Sequence, residues 1–166
     1  MTLLVCPLSQ VEAARASHRP SHVISLLSPA SEAEAWPVVD GAHLKLAFHD
    51  IVETREGLTA PDTAMVAELL AFSAGWDPAR PMLVHCWAGV SRSTAAAFII
   101  ACQHAPGRPE AEIALALRRA ASYATPNQLL VSLADAALGR DGRMTAAIDA
   151  IGRGADAFEG ALFTLP

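Results

Sequence analysis

The sequence contains little charge, because Asp, Glu, Lys and Arg together make up 17% of its 166 residues. Aromatic residues are also scarce at 5%, but hydrophobic residues reach 52%, which is enough for a core and too much for a disordered chain. The formal net charge of −5 lacks the basic excess of proteins that bind nucleic acid or an anionic membrane surface without specificity. We therefore expect neither a nucleic-acid partner nor a membrane partner.

Long apolar runs are missing as well. No stretch approaches the roughly 18 apolar residues of a membrane-spanning helix. Residues 1–7 have no basic region and only a short apolar run, so we do not expect a signal peptide. No repeat, low-complexity linker or block of like charge divides the chain, and its length fits one domain over residues 1–166.

Cysteine is rare: the chain has only Cys6, Cys86 and Cys102. An odd number without the spacing of a disulfide framework favours a reducing compartment, so we expect a cytoplasmic protein. Cys6 and Cys102 lie within apolar runs, which predicts buried thiols. The sequence has no cluster of metal-ligand residues, so we expect no metal site.

Cys86 has a different setting, because it lies between a predicted strand and a predicted helix. Apolar residues 81–84 lead into His85 and Cys86, a short loop contains Gly89, and an Ala, Phe and Ile run follows Ser93. The first N–H groups of a helix lack partners and carry a partial positive charge. A loop whose N–H groups converge there can bind an oxyanion.

Two side chains fit this predicted anion site. The planar guanidinium of Arg92 can bind two oxygens of a phosphate, and a surface salt bridge is the weaker interpretation at the start of so apolar a helix. The same electrostatic field favours the thiolate of Cys86, which predicts a nucleophile rather than a structural thiol. Gly89 lets the backbone turn without a side chain.

The segment His85-Cys86-Trp87-Ala88-Gly89-Val90-Ser91-Arg92-Ser93 resembles the phosphate loop of the cysteine-based protein tyrosine phosphatases, most closely the dual-specificity branch. Landmarks of the resemblance extend over about residues 43–130. It implies a phosphomonoester hydrolase with a phosphocysteine intermediate and no cofactor. It also implies that residues 87–91 cradle the phosphate bound by Cys86 and Arg92. Its substrate would be a phosphorylated protein or a small phosphomonoester.

The resemblance implies supporting roles for three further residues. His85 would tune the loop and the thiolate through hydrogen bonds, although it also fits a core histidine. Ser93 would donate a hydrogen bond to the sulfur as it leaves the intermediate, although it also fits a helix cap. Asn127, in Pro126-Asn127, would brace the phosphate loop, and a helix cap is the alternative here too.

The leaving group needs a proton, which a carboxylic acid on a loop can supply. In the family this Asp follows a strand a few dozen residues before the Cys. Asp50 fits, because it follows a predicted strand over residues 43–48. Asp62 follows Pro61 at a predicted helix start, which indicates a cap. Glu53 is our second choice.

Strands alternate with helices early and helices dominate late, which predicts an α/β fold. We expect a small, mostly parallel sheet flanked by helices, with strands near residues 3–6, 23–27, 43–48 and 81–84. Predicted helices cover 9–16 with Ser9 as cap, 61–74, 94–103, 110–121, 126–134 and 144–151. We expect a helical turn at 32–36, and the tail from about residue 140 is predicted to finish as a loose end.

Two other functions compete with the hydrolase. A phosphate-binding module with a dead or weak active site would need a lost nucleophile or acid, whereas Cys86, Arg92 and Asp50 are all present. Sulfur-transfer enzymes and arsenate reductases also use a cysteine in an anion loop, but their loops are shorter or near the N-terminus. The loop has no Lys, which favours substrates other than polyphosphoinositides and leaves phosphotyrosine and dual specificity both open.

Overall fold

Helices and strands alternate through the first half of the chain and give way to helices in the second. The computed structural model describes residues 1–29 and 36–166, and the predicted turn at 32–36 lies almost entirely outside them. The strands are β1 (Leu3–Pro7), β2 (His22–Leu27), β3 (Ala42–Ala47), β4 (Met82–Cys86) and β5 (Phe163–Leu165). The α-helices are α1 (Val11–His18), α2 (Thr63–Ala74), α3 (Arg92–His104), α4 (Glu110–Ala120), α5 (Gln128–Ala137) and α6 (Arg143–Ile151).

The strands form one sheet in the order β3-β2-β4-β1-β5. The first four strands run parallel, and β5 pairs antiparallel with β1. Strand β4 is therefore central, and every one of its residues is buried. Cys86, its last residue, lies at the carboxyl edge of the sheet, where ligands bind in open α/β folds. The predicted α/β fold with a mostly parallel sheet is confirmed.

Helix α3 is buried from its first residue through Cys102. It packs on one face of the sheet with the apolar side chains of Val5, Val84 and Cys86. On the other face, α1 packs on Leu4, Cys6 and Leu83, among others. Successive side chains of a strand point to opposite faces, so each strand contributes to both layers. Because α3 is packed on the sheet in this way, its first residue, Arg92, follows the end of β4 after a short loop.

Two sequence predictions about the chain ends are wrong. Ser9 does not cap the first helix, because a 3-10 turn over Leu8–Gln10 precedes α1 and the Ser9 hydroxyl instead donates to Glu159. The C-terminus is not a loose end, because β5 completes the sheet beside β1. The sequence analysis missed β5 because its partner, β1, lies at the opposite end of the chain, so no neighbouring residues indicate the pairing. Within the described residues, no helix has both the length and the apolar character to cross a bilayer.

Residues 154–160, which we call the C-terminal strap, pass closely over Tyr123 before β5 begins. A Cβ at Gly154 would lie 2.5 Å from the carbonyl carbon of Tyr123, and one at Gly160 would lie 2.5 Å from its ring. The Tyr123 hydroxyl also donates to the carbonyl of Ala161 and accepts from its N–H, both at 2.8 Å. The two glycines are therefore needed for close contact at both ends of the strap.

Replacing Gly154 with Ala is expected to lower the free energy of unfolding by about 1–3 kcal/mol, because the new methyl group meets rigid backbone. Gly107→Ala is the matched control, since a Cβ there meets nothing within 4 Å. Urea unfolding followed by circular dichroism measures both variants. Equal stability of Gly154→Ala and Gly107→Ala would show that the strap is not held against Tyr123.

Candidate active site

Cys86 lies at the floor of a loop that joins β4 to α3. The N–H of Gly89 donates to its Sγ at 3.2 Å, and the hydroxyl of Ser93 lies 3.2 Å from the same sulfur. Backbone and hydroxyl donors aimed at a sulfur favour its negative charge. The sulfur therefore lies between the loop and the first turn of α3, where hydrogen bonds can support a thiolate.

The carbonyl groups of the loop point outward and are bound by the surrounding scaffold. The pairs are Leu8 N–H to Trp87 O at 3.1 Å, Gly160 N–H to Ala88 O at 2.8 Å, Thr125 N–H to Val90 O at 3.0 Å, and Thr94 hydroxyl to Ser91 O at 2.8 Å. Within the described residues, the N–H groups of Ala88, Val90 and Ser91 donate no hydrogen bond. Unpartnered N–H groups on a tight loop beside a helix N-terminus form an anion-binding nest.

Gly89 is required at its position for two reasons. Its φ of 71° lies in the left-handed region, and a Cβ there would lie only 2.7 Å from the backbone nitrogen of Pro7. The sequence predicted the turn, but the close approach of β1 follows from the pairing of Pro7 with Cys86 across the sheet. A larger residue would push the phosphate loop away from β1.

Arg92 is the first residue of α3 and is only 6% exposed. One terminal nitrogen, Nη1, donates to the carbonyl of Phe48 at 2.8 Å and to the hydroxyl of Ser28 at 3.2 Å. Among the described residues it forms no ion pair, and its buried Nε has no hydrogen-bond partner. A buried cation without a negatively charged partner is costly, so this guanidinium is suited to an anionic ligand. The surface salt-bridge interpretation does not fit this burial.

Asp50 lies on the loop after β3, as the sequence indicated, and faces the phosphate loop. Its Oδ1 accepts from the Ser91 hydroxyl and from the Asn127 side-chain amide, both at 2.8 Å. Asp50, Cys86 and Arg92 line one cleft of about 440 Å³. The Cys86 sulfur, the Arg92 guanidinium and the Asp50 carboxylate thus border the same space.

The other two candidate acids have different partners. Asp62 caps α2, because its Oδ1 accepts from the N–H of Met65 at 2.8 Å. Glu53 forms an exposed ion pair with Arg55 at 2.8 Å. Neither of them lines the cleft that contains Cys86.

Asn127 is buried, and its side chain contacts both α5 and the loop that carries Asp50. Its Oδ1 accepts from the N–H of Leu130 and caps α5, while its Nδ2 donates to Asp50 and, at 3.1 Å, to the carbonyl of Ile51. The amide nitrogen of Asn127 therefore contacts the loop that carries Asp50 directly. It reaches the phosphate loop through Asp50 and Ser91.

His85 is fully buried beside Cys86 and takes part in a hydrogen-bonded chain. Its Nε2 lies 2.6 Å from the hydroxyl of Ser25, which lies 2.7 Å from Nε2 of His43. Burial lowers the pKa of His85 from 6.5 to about 4, and burial together with the charge of Lys45 lowers the pKa of His43 to about 4. Both imidazoles are therefore neutral at pH 7. Sequence reasoning missed Ser25 and His43, because β2 reaches β4, and β3 reaches β2, only through sheet pairing.

The remaining thiols are not placed to react with Cys86. Cys6 packs on the opposite face of the sheet, and Cys102 lies near the far end of α3. Burial raises the pKa of each thiol to about 12. In the described part of the chain, no three His, Cys, Asp or Glu side chains gather as a metal-binding group.

Comparison with known proteins identifies this arrangement at the level of the fold. No protein-family model matches the chain, and no curated protein sequence matches it. Solved structures do match. The human tyrosine phosphatase-like serine/threonine/tyrosine-interacting protein is 17% identical with a TM-score of 0.63, over 84% of this chain and 92% of that one.

Two phosphatase structures show the same likeness. PTPMT1 in complex with PI(5)P is 16% identical with a TM-score of 0.63, over 84% of this chain and 94% of that one. The PTP-2 phosphatase of Cydia pomonella is 19% identical with a TM-score of 0.58, over 81% and 84%. The fold implied by the phosphate-loop resemblance, that of the protein tyrosine and dual-specificity phosphatases, is therefore confirmed.

The neutral histidines predict that stability falls in mild acid. Below about pH 6.5 the unfolded chain binds a proton at His85 that the folded chain excludes until about pH 4. Stability from this residue is therefore complete above pH 6.5 and lost as the pH falls toward 4, by up to about 1.4 kcal/mol per pH unit. Urea unfolding across this range should show a shallower loss in His85→Gln than in the wild type. The exposed His18→Gln serves as the control, and identical slopes in all three proteins would contradict a neutral buried His85.

Proposed function

We propose that residues 1–166 form one phosphatase domain, a phosphomonoester hydrolase that works through a phosphocysteine intermediate without a cofactor. The observation that carries the proposal is the convergence on one cleft of Cys86, the unpartnered loop N–H groups, the unpaired guanidinium of Arg92 and Asp50. Together they supply an attacking sulfur, donors for the non-bridging oxygens and an acid for the leaving oxygen, which are the groups that phosphoryl transfer needs.

In the first step the Cys86 thiolate attacks phosphorus, and the bond from phosphorus to the leaving oxygen breaks. Arg92 and the loop N–H groups hold the three non-bridging oxygens, where negative charge is spread in the transition state. Asp50, in its acid form, gives a proton to the leaving oxygen, so the product departs as an alcohol or phenol. The phosphoryl group remains on the sulfur.

In the second step water attacks the phosphocysteine. Asp50, now a carboxylate, takes a proton from that water, the sulfur–phosphorus bond breaks, and inorganic phosphate forms. The sulfur leaves with the electron pair, which the hydroxyl of Ser93 and the N–H of Gly89 stabilise. The enzyme returns to its starting state.

The hydrogen bonds to Asp50 suit it for this exchange. Both Ser91 and Asn127 donate to Oδ1, and within the described residues Oδ2 has no hydrogen bond. The carboxyl group is thus fixed through one oxygen, while the other is free to carry the proton. This positioning supports Asp50 over Glu53 and Asp62.

The chemistry of the cleft supports phosphoesters in general as substrates, including phosphorylated proteins and small phosphomonoesters. One of the similar structures contains PI(5)P, but the loop here has no charged side chain before Arg92. A thiolate nucleophile and three free cysteines support a reducing cytoplasmic setting. The alternative, a phosphate-binding module, keeps the cradle and lacks the turnover.

Removing the acid should slow the reaction according to the leaving group. In Asp50→Asn we expect kcat for phenyl phosphate to fall about 100-fold or more, because an expelled phenoxide then receives no proton. The loss for an aryl phosphate with strongly electron-withdrawing substituents should be much smaller, since that leaving group departs unprotonated. Steady-state kinetics are measured under reducing conditions with a chelator present.

Glu53→Gln is the matched control for this experiment, because it removes a nearby loop carboxylate that does not line the cleft. A leaving-group effect that appears in Glu53→Gln and is absent in Asp50→Asn would assign the acid to Glu53. If wild type binds phosphate but hydrolyses neither substrate, the chain is a binding module.

Loss of the Ser93 hydroxyl should slow the second step more than the first. In Ser93→Ala we expect a burst of phenol close to one per active site before a slower steady rate, because the sulfur leaves without its hydrogen bond. Rapid-quench kinetics with a phosphorus-labelled substrate measure the burst and the labelled protein. Cys86→Ser should show neither turnover nor label, and label retained in Cys86→Ser would disprove the phosphocysteine intermediate.

A further inference from the structure

Two large aromatic side chains lie exposed near the candidate active site, one in the phosphate loop and one in the C-terminal strap. Trp87 is 56% exposed and Phe158, in the C-terminal strap, is 94% exposed. With Leu8, Ser9 and Glu159 they line a groove of about 320 Å³, which we call the aromatic groove. Exposed apolar side chains that share one groove are typical of a binding site rather than of ordinary surface.

The aromatic groove is held in place from both sides. Gly160 donates to the carbonyl of Ala88 at 2.8 Å, and the hydroxyl of Ser9 donates to Glu159 at 2.6 Å. At the other end of the strap, Gly154 donates to Thr125 at 3.1 Å. Phe158 therefore lies in a segment that is hydrogen-bonded at both ends, which limits the order to be gained when a ligand binds.

The aromatic groove adjoins the catalytic cleft. Trp87 lines both of them, and Ala157, which lines the cleft, directly precedes Phe158. A substrate whose phosphate lies over Cys86 can therefore reach the groove across Trp87. Its occupant is then a part of the substrate next to the phosphorylated residue.

Charge selects among the possible occupants. Within the described residues, Glu159 forms no ion pair, whereas the neighbouring Asp156 is paired with Arg153. A carboxylate at the edge of two aromatic rings repels acidic groups and anionic lipid surfaces. It attracts a cation, and the ring faces of Trp and Phe attract a cation as well.

We infer that the aromatic groove binds the side chain of an arginine or lysine that flanks the phosphorylated residue of a protein substrate. This inference rests on the proposed function. The aliphatic stem lies along Trp87 and Phe158, and the charged end meets Glu159. The groove adds selectivity for basic sequences to a phosphate site that by itself recognises only the phosphoester.

The test uses peptides that place either arginine or its uncharged analogue citrulline at each position flanking one phosphotyrosine or phosphothreonine. For the best position we expect kcat/KM to be about fivefold higher with arginine than with citrulline, as one partly exposed cation site allows. Glu159→Gln should remove this preference. Glu68→Gln, which removes an exposed carboxylate on α2, should retain it, and Phe158→Ala should lower kcat/KM for the arginine peptide.

Several outcomes would overturn the inference. These are equal rates for arginine and citrulline at every position, a preference that survives in Glu159→Gln, and vesicles with a phosphoinositide hydrolysed faster than every peptide. Hydrolysis of an aryl phosphate in the same preparation separates the two proposals. If it proceeds while peptide selectivity is absent, only the groove is disproved, and if it fails as well, the proposed function fails.

Discussion

The outward orientation of the phosphate-loop carbonyls is the constraint on which the site depends. A short loop can aim its N–H groups inward only if its carbonyl groups find donors elsewhere. Here the donors are Leu8 after β1, Thr125 before α5 and Gly160 in the C-terminal strap. Three segments far apart in sequence thus hold one loop open toward an anion, and the sheet and the late helices bring those segments together.

This dependence explains why the C-terminus belongs to the site although it carries none of the proposed catalytic residues. β5 pairs with β1, and β1 in turn lies directly against Gly89, so the edge of the sheet and the phosphate loop are mechanically linked. The strap between α6 and β5 binds the phosphate loop through the hydrogen bond from Gly160 to Ala88. It also packs so closely on Tyr123 that a Cβ at Gly154 or Gly160 would clash. Fixing the loop from outside therefore also places Ala157 and Phe158 at the entrance to the cleft.

The parts that sequence predicted are those specified by neighbouring residues. The strand, loop and helix around Cys86 have a local pattern, and Asp50 was proposed because the family resemblance implies an acid after a strand upstream of the Cys. Asn127 was predicted in two alternative roles: its oxygen caps α5, its nitrogen binds Asp50 and Ile51, and the brace of the phosphate loop stays a prediction. Ser25, His43, Phe48 and the strap were missed, since each reaches the site only through sheet pairing or through contacts across the whole chain. Ser9 was misassigned for the same reason, as its partner is Glu159.

The candidate active site concentrates groups that the fold leaves without partners. The buried Nε of Arg92 and the inward N–H groups of the loop lack acceptors within the described residues. His85 beside Cys86 is held neutral by burial, so it adds no positive charge to the anion site. Such unpaired groups lower the stability of the protein, and the phosphate of the proposed function would satisfy them together. The unpaired donors that lower stability would thus favour binding of an anion. The scaffold holds the loop carbonyl groups, so the loop cannot rotate its N–H groups toward other acceptors.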